Sequence, residues 1–287
     1  MTINDIPVRV IGPGSQPVGD GDKLTYMDMP GGMSTYVAPV MPDPDDVMHM
    51  DGAREAMQWL RKALAGYEAG AGPMFADLSA LSEECRELVN QVLGEGEVSV
   101  TRNGDLKART QESVLAGVWR TLLFDEEDKV VCDLIEVADV PQLARIPDGF
   151  GSAVDTSVDG VGPELSNAPP ILVELDSKCR EYSEKGTAHS INLSLLPLSD
   201  AELEFLDERL GRGPVDILSR AYGKSQVIST RTPNVWWVRY YNSMGTLILN
   251  TLEVVEMPNV VAAAPEDLAD SAERLAEILE PYWPEVA

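Results

Sequence analysis

The stretch "LGEGEV" spans residues 93–98, and a near-copy, "LGRGPV", spans residues 210–215. The two phrases lie 117 positions apart (210 − 93), and their flanks follow at the same distance. Leu93, Gly94, Gly96 and Val98 fall on Leu210, Gly211, Gly213 and Val215. Trp119 falls on Trp236, Glu136 on Glu253, Val137 on Val254 and Pro141 on Pro258. Further upstream the offset becomes 115. There Met57, Leu60, Leu64 and Tyr67 meet Leu172, Leu175, Cys179 and Tyr182, and "DLS" (77–79) meets "NLS" (192–194). Ordered matches at one period point to an internal duplication, so the fold is expected to be two versions of one unit.

The content of that unit follows from local signals. Met57, Leu60, Leu64 and Tyr67 recur at helical spacing, and "GYEAGAGP" stops that helix. Ser82 caps a second helix running to about Val92. Ser199 does the same in the second unit, where Glu202 completes a capping box. Gly94 and Gly211 suit the turn that ends these helices. In the second unit "VDILS", "SQVIST", "VWWVRYY" and "TLILNTLEV" then read as four strands, with "NSMG" (242–245) as a hairpin loop. The first unit offers "VSV", "SVLAGVWRTLLF" and "VVCDLIEV", with "DEED" as the loop.

The expected fold class is α+β: two related helix–helix–antiparallel-sheet units with an extended N-terminal arm and a C-terminal helix. The expected bounds are a Met/Pro/Gly-rich arm at 1–50, a first unit at 51–147, a Gly/Ser/Pro-rich linker at 148–170 and a second unit at 171–287. The second unit includes the C-terminal helix, striped by Leu268, Ala272, Leu275 and Leu279. The two units are expected to pack with pseudo-twofold symmetry and leave a groove between them.

Composition narrows the function. The net charge is −26, from 22 basic and 48 acidic residues, which argues against nucleic acid and anionic membranes as partners. No apolar run approaches the roughly 20 residues of a membrane helix, so no membrane insertion is expected. "MTINDIPVRV" lacks a basic segment followed by an apolar one, and the cytoplasm is the expected compartment. Cys85, Cys132 and Cys179 lie far apart, and only His49 and His189 stand beside them as nitrogen ligands. A closed zinc or iron–sulfur site needs about four ligands, so no metal and no cofactor are expected, and the thiols read as structural. No nucleophile elbow, phosphate loop, zinc-protease motif or dinucleotide fingerprint occurs, and no catalytic residue is assigned. Glu136 and Glu253 recur at one position of both units; a structural role at a strand end explains them as well as catalysis would.

Aromatic residues carry more. In "VWWVRYYN", Trp236, Val238 and Tyr240 share one face of a strand, and Val235, Trp237, Arg239 and Tyr241 share the other. Trp119 and Trp236 are core candidates. Trp237 stands where the first unit has Arg120, so the fold itself does not demand an aromatic there. Trp237, Arg239 and Tyr241 together suit a partner interface; the alternative is a sheet covered on both faces by its own helices. The arm adds "GPGSQP" (12–17), a turn-rich peptide, and "LTYMDMPGGMSTY" (24–36), with adaptable methionines. Gly12, Pro13, Gly14, Ser15, Gln16, Met27, Met29 and Met33 are the arm's candidate partner-binding residues; docking of the arm on its own domain is the alternative.

Several of these motifs together resemble the HupH/HyaF/HoxQ family of hydrogenase expression proteins. They are "GPGSQP", "YMDMPGGMSTY", "LGEGEV", "QESVLAGVW" (111–119), "INLSLLPLS", "LGRGPVDILSRAYG", "NVWWVRYYNS", "TLILNTLEV" and "DSAERLAEIL". The resemblance covers nearly the whole chain apart from 148–170. It implies an accessory chaperone in [NiFe] hydrogenase maturation. Its implied partner is the iron–sulfur small-subunit precursor, with other hydrogenase accessory proteins, and its task is cluster assembly or protection before export. An acidic chain suits a precursor whose export signal carries paired arginines. The competing class is an iron–sulfur carrier or a carboxylate-based enzyme of the same pathway.

Overall fold

A computed structural model describes residues 41–104, 106–145, 150–159, 161–220 and 223–284. Helices α1 (Pro44–Val47) and α2 (Asp51–Gly66) lead into strand β1 (Met74–Asp77), helix α3 (Glu83–Leu93) and strands β2 (Val98–Arg102), β3 (Lys107–Glu112), β4 (Val118–Phe124) and β5 (Val130–Val137). Helix α4 (Ala168–Lys185), strand β6 (His189–Asn192), helix α5 (Asp200–Leu210) and strands β7 (Arg212–Ser219), β8 (Lys224–Thr230), β9 (Val235–Tyr241) and β10 (Leu247–Val254) repeat that order. Helix α6 (Pro265–Leu279) follows.

All ten strands form one antiparallel sheet in the order β1-β5-β4-β3-β2-β7-β8-β9-β10-β6. Its halves meet where Val100 of β2 pairs with Ile217 of β7, two residues 117 apart (217 − 100). Adding 117 carries the flanking pairs onto each other as well: Val100 faces Thr110, and Ile217 faces Val227.

Smaller details recur at the same offsets. Ser82 caps α3 by accepting from the Cys85 N–H, and Ser199 caps α5 by accepting from the Glu202 N–H. The indole of Trp119 donates to the Ala138 carbonyl at 2.8 Å, and that of Trp236 to the Val255 carbonyl at 3.1 Å. The hydroxyls of Ser79 and Ser194 accept from the Asp133 and Asn250 N–H groups. Those of Tyr67 and Tyr182 accept from the Asp139 and Glu256 N–H groups.

The repeated Leu-Gly-x-Gly-x-Val phrase has a physical reason. Gly94 and Gly211 sit at φ +54° and +60°, where a Cβ is disfavoured, and turn the chain from helix to strand. The second glycine of each phrase lies against the neighbouring backbone. A Cβ on Gly96 would stand 2.2 Å from the Ser113 carbonyl oxygen, and one on Gly213 would stand 2.5 Å from that of Thr230.

Three apolar layers hold the sheet. On one face, α2, α3 and α6 bury Leu115, Val118, Ile135 and Val137 at one end, while α4 and α5 bury Ile228, Val235, Trp237, Leu252 and Val254 at the other. On the opposite face, Trp119, Trp236, Val100 and Ile217 are covered by the segments that follow β5 and β10, through Val140, Ala144, Met257 and Val261.

The structure departs from the sequence reading in four places. Strand β3, "KARTQE", was not foreseen, because its only inward residues are the small Ala108 and Thr110; "SVLA" is a turn instead. The short edge strands β1 and β6 were also missed. The C-terminal helix packs on α2 through Leu268, Leu275 and Leu279, so it covers the first half rather than the second. Within the stretch read as arm and linker, residues 44–47 form α1 with Val47 buried, Val154 enters the second core, and α4 begins at Ala168.

Candidate protein-docking face

The helical layers cover the outer strands and the Ile228 end of β8, and leave β3, β2, β7 and the Lys224–Gln226 end of β8 open on their own face of the sheet. Register defines what lines this strip, since directly paired residues share a face. One row runs Arg120, Gln111, Ser99, Leu218, Gln226, Arg239 across six strands. None of the six is buried, and Leu218 at the centre is 40% exposed. The strip therefore forms the floor of a trough. Its walls are one helix layer high, about 10 Å, and from β3 to β8 the floor spans roughly 14 Å at about 4.8 Å spacing.

Charge is sorted between the two faces. On the trough face the strands carry Lys107, Arg109, Arg120, Arg212, Lys224 and Arg239 against Asp133 and Asp216. On the other face they carry Arg102 against Asp77, Glu112, Glu136 and Glu253. In a chain of net charge −26 the strands thus place most of their cations on one face of the sheet, two of them paired there, Arg120 with Asp133 and Lys107 with Asp128.

Aromatic rings position several of these cations. The Arg109 guanidinium lies 5.3 Å from the centre of the Phe124 ring, Lys224 Nζ 5.9 Å from Tyr241, and the Arg239 guanidinium 4.8 Å from Trp237. Such stacking is worth about 0.5–1 kcal/mol at exposed sites. Arg120 instead donates from Nε and Nη2 to both oxygens of Asp133, at 2.9 and 2.6 Å, and Arg86 Nε stands 3.6 Å from the same carboxylate. The positions 117 further on hold Trp237 and Asn250, where the indole donates to Asn250 Oδ1 at 2.5 Å. The two halves thus fill one structural position with an ion pair and with an indole–amide hydrogen bond.

For Trp237, a candidate partner-binding residue, the structure matches the alternative of a sheet covered by its own helices. The ring is 2% exposed, because α4 and α5 close over that row of the sheet. Arg239 and Tyr241 remain half-exposed on the trough side. The structure places Lys224 against Tyr241 and puts Arg109 on the same face of the sheet; Arg109 lies in the polar strand β3, and Lys224 stands just ahead of the stretch "SQVIST". Gly12, Pro13, Gly14, Ser15, Gln16, Met27, Met29 and Met33 lie outside the described residues.

Two carboxylates elsewhere on the sheet are shifted by burial. Burial pushes Glu112 and Glu136, on the opposite face, up to about 7, although Glu112 accepts from the Val98 N–H and Glu136 from the Gln142 N–H. Both hold a proton in the fold that the unfolded chain releases near its ordinary value of 4.5. The stability they carry is therefore complete below that value and is lost as pH rises to about 7. Urea denaturation is expected to give a stability lower at pH 7.5 than at pH 5 by about 1–3 kcal/mol. Glu136→Gln should narrow that gap; an unchanged gap would contradict the assignment.

Cys179 lines a pocket of about 500 Å³ with Phe150, Val154 and Thr232. Burial pushes its thiol up to about 11, away from a reactive thiolate at neutral pH. Among the described residues no group of three or more His, Cys, Asp or Glu side chains is placed to hold a metal ion. Among them, too, no helix is long and apolar enough to cross a membrane.

The chain matches the family model described as "HupH hydrogenase expression protein, C-terminal conserved region" over residues 51–149 and again over 165–282. It is 41% identical to the hydrogenase expression/formation protein HoxQ of Cupriavidus necator, covering 96% of each chain. It is also 41% identical to the hydrogenase expression/formation protein HupH of Rhodobacter capsulatus, over 96% of this chain and 97% of that one. The hydrogenase-1 operon protein HyaF of Escherichia coli is 30% identical over 94% of both.

Proposed function

The chain belongs to the HupH family of hydrogenase expression proteins, and on that premise we propose that it is a non-enzymatic chaperone that binds the hydrogenase small-subunit precursor in the cytoplasm before export. The observation that carries this reading is the bare strip of sheet between the helical layers. Strands β3, β2, β7 and the Lys224–Gln226 end of β8 expose polar and cationic side chains on a face that the chain's own helices leave open, flanked by the Phe124 ring of β4 and the Tyr241 ring of β9. A surface of that extent suits a macromolecule better than a small metabolite, for which an enclosed cavity is usual. The buried, hydrogen-bonded state of Glu136 suits a structural carboxylate, not a catalytic one.

We also propose that the two halves arose by duplication of one unit. The repeated element order, the pairing of Val100 with Ile217 and the repeated serine, tyrosine and tryptophan hydrogen bonds support this. In the proposed arrangement the trough is the seam between the two copies, and Gly12 to Gln16 and Met27 to Met33 of the N-terminal stretch add to the contact.

The function is tested in a host that makes an exported [NiFe] hydrogenase. Removing the gene is expected to abolish hydrogenase activity, and the tagged chain should copurify with the small-subunit precursor, colourless and metal-free after anaerobic preparation. Copurification with the large subunit alone, or an iron–sulfur chromophore on the isolated chain, would overturn the reading.

A further inference from the structure

We infer that the trough is built to receive an acidic segment of a protein partner, one that carries carboxylates on either side of an apolar residue. The inference rests on the reading of the trough as the docking face and adds the chemistry of its occupant. Three cations, Arg109, Lys224 and Arg239, line the trough held by aromatic rings; none of them makes a direct ion pair among the described residues, and Asp128, already bonded to Lys107, acts on Arg109 only at longer range. A guanidinium stacked on a ring keeps its N–H edge free for an incoming carboxylate. The stacking also fixes the side chain before binding, which lowers the entropy lost on complex formation.

The spacing of these groups sets the length of the occupant. Arg109 on β3 and Arg239 on β9 are four strand spacings apart, roughly 19 Å, which about six residues of extended chain would span. Leu218 lies between them, 40% exposed, and offers the apolar contact at the centre. Asp216, also on the floor, is engaged by the Gln226 amide at 3.1 and 3.2 Å.

Nucleic acid is the other anionic class that cations and rings could attract. It is disfavoured because a nucleic acid carries a charge at every nucleotide and each phosphate contact needs its own cation, whereas the trough offers three ring-held cations. A short peptide with two separated carboxylate clusters needs only the cations already present.

The test is fluorescence anisotropy with the full chain and three labelled probes. They are a twelve-residue peptide with two glutamate pairs flanking a central leucine, the same peptide with lysines for glutamates, and a twelve-nucleotide oligothymidine. The glutamate peptide should bind most tightly, and its affinity should fall at least tenfold between low salt and 0.5 M salt. The double variant R109E/R239E should lose at least tenfold in affinity for that peptide while its circular dichroism is unchanged. Failure of the glutamate peptide to bind, tighter binding of either other probe, or equal binding by the double variant would each overturn the inference. Binding of the hydrogenase precursor at the trough without glutamate-peptide binding would sink this inference alone and leave the docking face standing.

Discussion

Trp237→Ala is expected to destabilise the fold by about 3–5 kcal/mol, the usual cost of emptying a large aromatic site in a core. The ring is 2% exposed among Ile228, Leu252 and the helices α4 and α5, and its loss leaves the Asn250 side chain without its indole donor. It also removes the surface on which Arg239 stacks. Any loss of partner binding by this variant would therefore come with a loss of folded protein. Arg239→Ala, whose side chain is half-exposed and outside the core, should cost under about 1 kcal/mol. Urea denaturation of both variants separates the two effects; a Trp237→Ala protein as stable as wild type would contradict the burial of the ring.

The second large effect is expected at Asp133. Its carboxylate is buried and holds Arg120 by two hydrogen bonds, with Arg86 beside it. Asp133→Ala leaves the half-buried Arg120 charge without its partner, and removing one member of a buried pair costs about 3–5 kcal/mol. Removing both members should cost less than the sum of the single changes, because the orphaned charge disappears. A double-mutant cycle of Asp133→Ala and Arg120→Ala by chemical denaturation checks this. Additive losses would mean that the two side chains do not act as a pair.

Much of the fold was legible because apolar periodicity and turn chemistry agree with each other. Ser82, Ser199, Gly94 and Gly211 mark helix ends through local hydrogen bonds and backbone angles, which sequence spells directly. The tryptophan positions were legible for a different reason: their recurrence at one offset singled out a site that both halves bury. Strand β3 was hidden because its place in the centre of the sheet is fixed by its neighbours and not by its own apolar residues. The packing of α6 on α2 was hidden as well, since an amphipathic stripe says that a helix buries one face but not against what.

The candidate site was legible only in part. Arg239 and Tyr241 were found from strand alternation, and they do face the trough. Trp237 shares their side of the strand, yet one row further along the helices begin. Where a covering layer stops is a property of tertiary packing, and no pattern within "VWWVRYY" encodes it. The sorting of cations to one face was also out of reach, because it needs the register of strands distant in sequence, such as the Ser99–Leu218 pair that joins the two halves.

The central claim, that the open strip between the helical layers is where the partner docks, is tested most directly by site-specific photo-crosslinking in the hydrogenase-producing host. A photoreactive residue is placed at Gln226 on the trough floor and, separately, at Val173, which is 55% exposed on α4. The expected result is a crosslink to the small-subunit precursor from position 226 and none from position 173. A crosslink from position 173 with none from position 226 would contradict the account.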